Sequence, residues 1–152
     1  MVSYNPDPMR DLAILLVLVA ACGNGESGGS SGGGVTIKSH EQGADEAVKA
    51  LKEYGDVLAG VTNKASAEAA KPKVEAIAKR LQGIAAGVEK LGLPREGQTT
   101  AGKMEAALQV LSPRTTEYVM RVMENPEIAQ ALGGAFDLAQ AQILKLRGML
   151  GG

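Results

Sequence analysis

Few side chains here could carry chemistry. The 152-residue chain holds one cysteine, Cys22, and one histidine, His40. A lone thiol can pair with no second thiol of its own chain, so an internal disulfide is excluded. A zinc centre needs three or four Cys, His or carboxylate ligands at set spacings, and no such set occurs. Missing too are a Cys-x-x-Cys-His haem attachment, the paired Glu and Glu-x-x-His ligands of di-iron bundles, and a Gly-x-Ser-x-Gly nucleophile turn. The glycines at 28–34 precede no helix opening on Lys-Ser/Thr, so they form no phosphate loop. His40 falls at the edge of the folded part, where a solvated ring is expected. We therefore expect no enzyme, and assign no catalytic, cofactor-binding or metal-binding residue. What remains is Cys22 and the apolar run before it, which leaves either an export signal or a free buried cysteine at the end of a core helix.

The segment that ends on Cys22 has the length and composition of an export signal. Leu12 to Ala21 reads LAILLVLVAA, ten apolar residues without a charge. As a helix it reaches roughly 15 Å, half of a ~30 Å hydrocarbon core, too short to span and suited to the h-region of a signal peptide. It ends on Val19-Ala20-Ala21-Cys22. This run resembles the lipobox of bacterial lipoproteins, an aliphatic residue and two small ones before the cysteine. The resemblance implies a diacylglyceryl group on the Cys22 sulfur, cleavage before Cys22 and an acyl chain, palmitate or similar, on the new amine. Two or three chains hold where one is marginal, each buried methylene adding about 0.8 kcal/mol. The n-region departs from the pattern: Arg10 is opposed by Asp7 and Asp11, and the start could be Met1 or Met9. In a host with two membranes, Gly23 after the cysteine would favour the outer one.

After Cys22 comes GNGESGGSSGGG, with nothing to bury and much backbone entropy to lose. Such a tether has an r.m.s. reach of about 20 Å. The expected organisation is a signal peptide over 1–21, the lipidated cysteine and tether over 22–35, and a helical domain over 36–152.

That domain should be all-α, an antiparallel bundle of about four helical segments. Ser39 and Gln42 offer a capping box. The first helix then runs to about Gly60, with Ala44, Val48, Leu51, Gly55 and Leu58 on its stripe. Val74, Ile77, Leu81, Ile84, Val88 and Leu91 follow at alternating threes and fours, and Gly92 and Pro94 end that helix. Met104, Leu108 and Leu111 begin a third region, which Ser112-Pro113 punctuates as a fresh N-cap and N1; Val119, Val122 and Met123 continue it. Asn125-Pro126 starts the last helix, whose stripe is Ile128, Leu132, Ala135, Ala139, Ile143 and Leu146. Gly133-Gly134 interrupt it. Gly83-x-x-x-Gly87 suits either close packing inside the domain or a face for a second copy, the former preferred.

The 60–75 stretch, GVTNKASAEAAKPKVE, is similar to a Thr-Asp/Asn…Ala-Ser-Ala-x-x-Ala-x-Pro-Lys segment of small bacterial envelope proteins. No activity comes with that likeness. It reads as a helix-turn-helix corner, with Thr62 or Ser66 as cap and Pro72 in an early turn or at N1. Lys64, Lys71, Lys73, Lys79 and Arg80 form a candidate basic edge for anionic headgroups or an acidic partner, interleaved with Glu68 and Glu75.

Charge is balanced, 16 Lys+Arg against 17 Asp+Glu. Nucleic acid demands clustered cations to replace condensed counterions, so it is not an expected partner. Aromatics make up 3% of the chain, leaving few rings to line a ligand pocket. Two roles then stand: a lipid-anchored interaction module meeting an envelope protein, or a small apolar-ligand or lipid-binding bundle with an enclosed cavity. Partners expected are the membrane through Cys22, an envelope protein, and in some arrangements a second copy.

Overall fold

The computed structural model describes residues 36–92 and 99–151. They belong to the second of two units into which the chain divides between Gly34 and Val35. Cys22, the signal-like run and the tether lie outside the described residues. Four helices make up the second unit: α1 (His40–Ala59), α2 (Lys64–Leu91), α3 (Thr100–Glu124) and α4 (Pro126–Leu150). The domain is an all-α four-helix bundle, as its periodicity indicated, with no strand among the described residues.

Local chemistry sets most helix ends. Ser39 caps α1 by accepting from the Gln42 N–H at 3.1 Å. The Gln42 side chain reaches back to the Lys38 N–H at 2.9 Å, one residue earlier than a capping box would have it. At α2 the cap is Asn63, not Thr62 or Ser66. Asn63 keeps extended backbone while its Oδ1 accepts from the Ser66 N–H, and Ser66 Oγ accepts from the Asn63 N–H in return. Asn125 caps α4 and Pro126 sits in its first turn, as expected.

Two prolines do not break their helices. Pro72 lies in the interior of α2 rather than at N1, and Pro113 lies within a continuous α3. Each removes one backbone bond, to the carbonyls of Glu68 and Gln109 respectively, and all four residues are exposed, so water can serve those carbonyls. Packing holds the line: Leu111 and Tyr118, seven apart across Pro113, are both buried. Thr115 and Thr116 donate to the carbonyls of Leu111 and Ser112 at 3.2 and 3.0 Å.

Side chains at the helix ends give the directions. The His40 Nε2–H donates to the Gly92 carbonyl at 2.8 Å, joining the start of α1 to the end of α2. Thr100 Oγ1 donates to the Leu150 carbonyl, joining the start of α3 to the end of α4. Successive helices therefore run antiparallel. The neighbours are less obvious. Lys103 on α3 pairs with Glu41 and Asp45 near the start of α1, while Arg121 meets the end of α1. Lys145 and Glu89 likewise join the ends of α4 and α2. So α1 packs alongside α3, and α2 alongside α4, each pair running the same way. Around the bundle the order is α1, α2, α4, α3, and the diagonal pair α2 and α3 shares no packed face among the described residues.

The expected stripes of α2 and α4 are buried nearly throughout, only Leu91 being exposed at its helix end. On α1, Ala44, Leu51, Gly55 and Leu58 are buried, but Val48 is half-buried while Ala47 and Tyr54 turn inward. On α3, Met104 and Leu111 are buried and Tyr118 joins them, whereas Val119 and Met123 face out.

The glycines divide by their surroundings. A Cβ on Gly87 would lie 2.6 and 2.8 Å from Cγ1 and Cβ of Ile37, and one on Gly43 would lie 2.6 Å from Val88 Cγ2. Together they form a notch that Ile37 fills just before α1. Gly83 and Gly134 would meet nothing within 4 Å among the described residues. The close contact therefore uses Gly87 without Gly83, and Gly133-Gly134 leave α4 unbroken. Gly134→Ala should raise stability by up to about 1 kcal/mol, because it gains helix propensity without a clash. Gly87→Ala should lower it by about 1–3 kcal/mol, since Ile37 must be displaced. Urea unfolding of the two variants side by side checks both signs.

Candidate functional site

The basic edge resolves into two different things. Arg80 is no free surface cation: its guanidinium bridges from α2 to α1, reaching Glu46 at 2.9 Å and Glu53 at 3.3 Å. Lys64, Lys71, Lys73 and Lys79 are exposed and have no ion pair among the described residues. At 100° per residue, Lys73 lies roughly 160° round the helix from Lys71, so the four do not form one patch. Lys64 and Lys71 share a flank with Glu68 and Glu75. The edge is thus an interhelical clamp plus three lysines on one side and one on the other.

Hydrogen bonding from Arg80, then from Lys49, holds the Glu46 carboxyl below its usual range. A depressed carboxylate contributes stability that is present above its unfolded pKa, near 4.3, and is lost as pH falls through the folded value. The pair is partly exposed, so the contribution should be within about 1 kcal/mol. Glu46→Gln is expected to lower stability at neutral pH by up to about 1 kcal/mol and to flatten the fall in Tm below pH 4.5 or so. Thermal melts of both proteins across that range give the comparison.

His40 is buried rather than solvated, at 8% exposure. The bond to Gly92 explains this: α1 begins against the end of α2, and the ring fills the gap while satisfying a C-terminal carbonyl.

Three rings from three helices meet, those of Tyr54 and Tyr118 buried and that of Phe136 half-buried at the edge of the core. Tyr118 of α3 stacks on Phe136 of α4 at 4.6 Å, and Tyr54 of α1 lies 6.3 Å from Phe136. Gln140 Nε2 donates to the Tyr54 hydroxyl at 3.4 Å. Burial pushes the phenol of Tyr54 far up, and that of Tyr118 up as well. This cluster is structural, since each ring packs against another.

The solvent side of the α3–α4 layer is different. These two helices pack together less extensively than the other neighbouring pairs. Near the start of α3 and the end of α4 they leave a recess of about 320 Å3, open to solvent, floored by Met104 and Leu108 and rimmed by Glu105 and Arg147. Further along, Met123 is 77%, Met120 58% and Leu144 63% exposed. Such a recess can take an apolar group beside a charge, but it encloses nothing. Among the described residues there is no group of three or more potential metal ligands.

No known protein family, curated protein or solved structure matches this chain.

The sequence reading missed this layer. Its α3 stripe placed Val119 and Met123 inward because they are apolar; the heptad spacing of Met104, Leu111 and Tyr118 was the available signal. Glu105 and Arg147 carried none, since their level match depends on how α3 and α4 are set side by side.

Proposed function

We propose that this protein is a lipid-anchored interaction module of a cell envelope, held by acyl chains on Cys22 and offering its helical bundle to another envelope protein. The observation that carries the reading is Val19-Ala20-Ala21-Cys22 at the close of a ten-residue apolar run, followed at once by twelve Gly/Ser-rich residues. Lipid attachment needs a reachable cysteine where the apolar run ends, and a flexible tether frees the domain from the headgroups. No described helix is long and apolar enough to cross a membrane; in this reading the lipid makes the attachment.

The bundle's polarity bears on what the lysines meet. The chain comes into the bundle at Thr36–Ser39, beside the end of α2, where Ile37 packs on Gly87. Lys64 and Lys71 sit at the beginning of that helix of 28 residues, and a helix of this length measures roughly 42 Å. An acidic partner beyond the membrane suits them better than the headgroups beneath the tether.

A second reading, a small apolar-ligand bundle, has the α3–α4 recess in its favour. Its volume is at the low end for a ligand site. Because it is open and bordered by two charged side chains, we rank it second.

The intact mass of the protein from its native membrane fraction tests the anchor. The expected mass is that of residues 22–152 plus acyl chains, and Cys22→Ser should abolish both the added mass and the membrane association. An unprocessed chain in the soluble fraction would overturn the reading.

A further inference from the structure

We propose that the solvent side of the α3–α4 layer is an interface between two copies of this chain, related by a two-fold axis parallel to the helices. Within one chain, residues of α3 and α4 match in height. Thr100 meets Leu150 and Tyr118 stacks on Phe136, so a step forward along α3 is a step back along α4. Glu105 is therefore level with Arg147, and Met120 with Gly133. A two-fold axis along the helices keeps every residue at its own height and lays α3 of one copy on α4 of the other.

That docking is self-complementary. Glu105 comes against the second copy's Arg147 and Arg147 against its Glu105, an alternating square of four charges. Neither has an ion pair within its own chain among the described residues, although both border the same recess. Met120 comes over Gly133, where a Cβ would meet nothing within 4 Å among the described residues. A flexible methionine over a glycine is a knob over a gap. Composition agrees: exposed Met120, Met123, Val119 and Leu144 gather on this layer. Interfaces are enriched in Met relative to the rest of a protein's surface.

Size agrees as well. A helix of 25 residues is roughly 37 Å long, and two side by side are about 20 Å wide, giving a face of roughly 700 Å2. A standard interface takes about 800 Å2 from each partner. The axis also keeps both Thr36 ends at one end of the pair, so two tethers could run to a single membrane. The dimer itself does not depend on the anchor.

The test is sedimentation equilibrium of the full chain in a density-matched detergent, with far-UV circular dichroism to confirm the fold of each variant. The expected result is a two-chain mass. Glu105→Lys and Arg147→Glu should each weaken the dimer about tenfold or more, and the double charge swap should restore it. Met120→Glu should give single chains at concentrations where the parent is paired. Single chains of the parent up to roughly 100 µM would overturn the proposal and leave the face to a different protein. So would association that both single reversals and Met120→Glu leave unchanged, since it would arise elsewhere on the molecule or in the lipid.

Discussion

Tyr54→Ala should destabilise the fold by about 3–5 kcal/mol, enough to leave a marginal domain largely unfolded at modest urea. Tyr54 is fully buried, and it comes from α1, a helix that barely touches its diagonal partner α4. Its ring spans that diagonal to reach Phe136, which in turn stacks on Tyr118. Truncation would leave a ring-sized void where three helices converge, and the packed helices around it, with half-buried Phe136 and Gln140 among the neighbours, could close it only in part. Tyr54→Phe keeps the ring and forfeits only the long Gln140 contact, so it should cost under about 1 kcal/mol. If the alanine variant cost no more than the phenylalanine variant in urea titrations, the diagonal would not depend on this ring.

The phenol adds a pH signature. Burial raises its folded pKa well above the ordinary value of about 10. A raised folded pKa means that the contribution is fully present below pH 10 or so and is lost as pH rises beyond it. Phenolate absorbance from Tyr54 should therefore appear only as the protein unfolds at high pH, and Tyr54→Phe should extend the folded range upward.

Arg121→Ala should cost about 1.5–3 kcal/mol. From α3 its Nη1 donates towards the carbonyls of Leu58, Ala59 and Val61 at 3.3, 3.3 and 3.1 Å. Those carbonyls close α1 and open the turn into α2. The Leu58 carbonyl also accepts from the Val61 N–H at 3.1 Å; the negative end of the helix dipole lies there, so one cation both adds a hydrogen-bond partner and neutralises the end. Arg121→Lys retains the charge but not the fork and should recover only part of the loss. Glu117→Gln, which removes the 3.5 Å ion pair at the surface, should change stability by under about 0.5 kcal/mol. Amide exchange in residues 58–63 should quicken in the alanine variant ahead of global unfolding.

Sequence alone determined where the helices lie and which faces of α2 and α4 turn inward. Those properties are local: a 3.6-residue period, an Asn or Ser cap and a Pro at N1 act within one or two turns. The proposed lipobox at Cys22 is likewise a local pattern, one that lies outside the described residues. The interpretation failed where a local rule met a tertiary contact. Pro113 looked like a helix start, but the packing of Leu111 and Tyr118 carries α3 straight through it. Val119 and Met123 looked like core because they are apolar, yet α3 faces α1 and α4 along a line seven residues apart and has little else to bury.

Only the tertiary structure decided which helices are neighbours, and with them the candidate surfaces. Arg80 reads as part of a basic edge until α1 brings Glu46 and Glu53 beside it. His40 reads as a solvated end until α2 returns Gly92 to it. Glu105 and Arg147, 42 positions apart in the chain, become one charged rim only because α4 lies antiparallel to α3. The physical reason is common to all three: periodicity states which face of a helix is buried, while the identity of the partner depends on contacts between residues far apart in sequence, which no local pattern encodes.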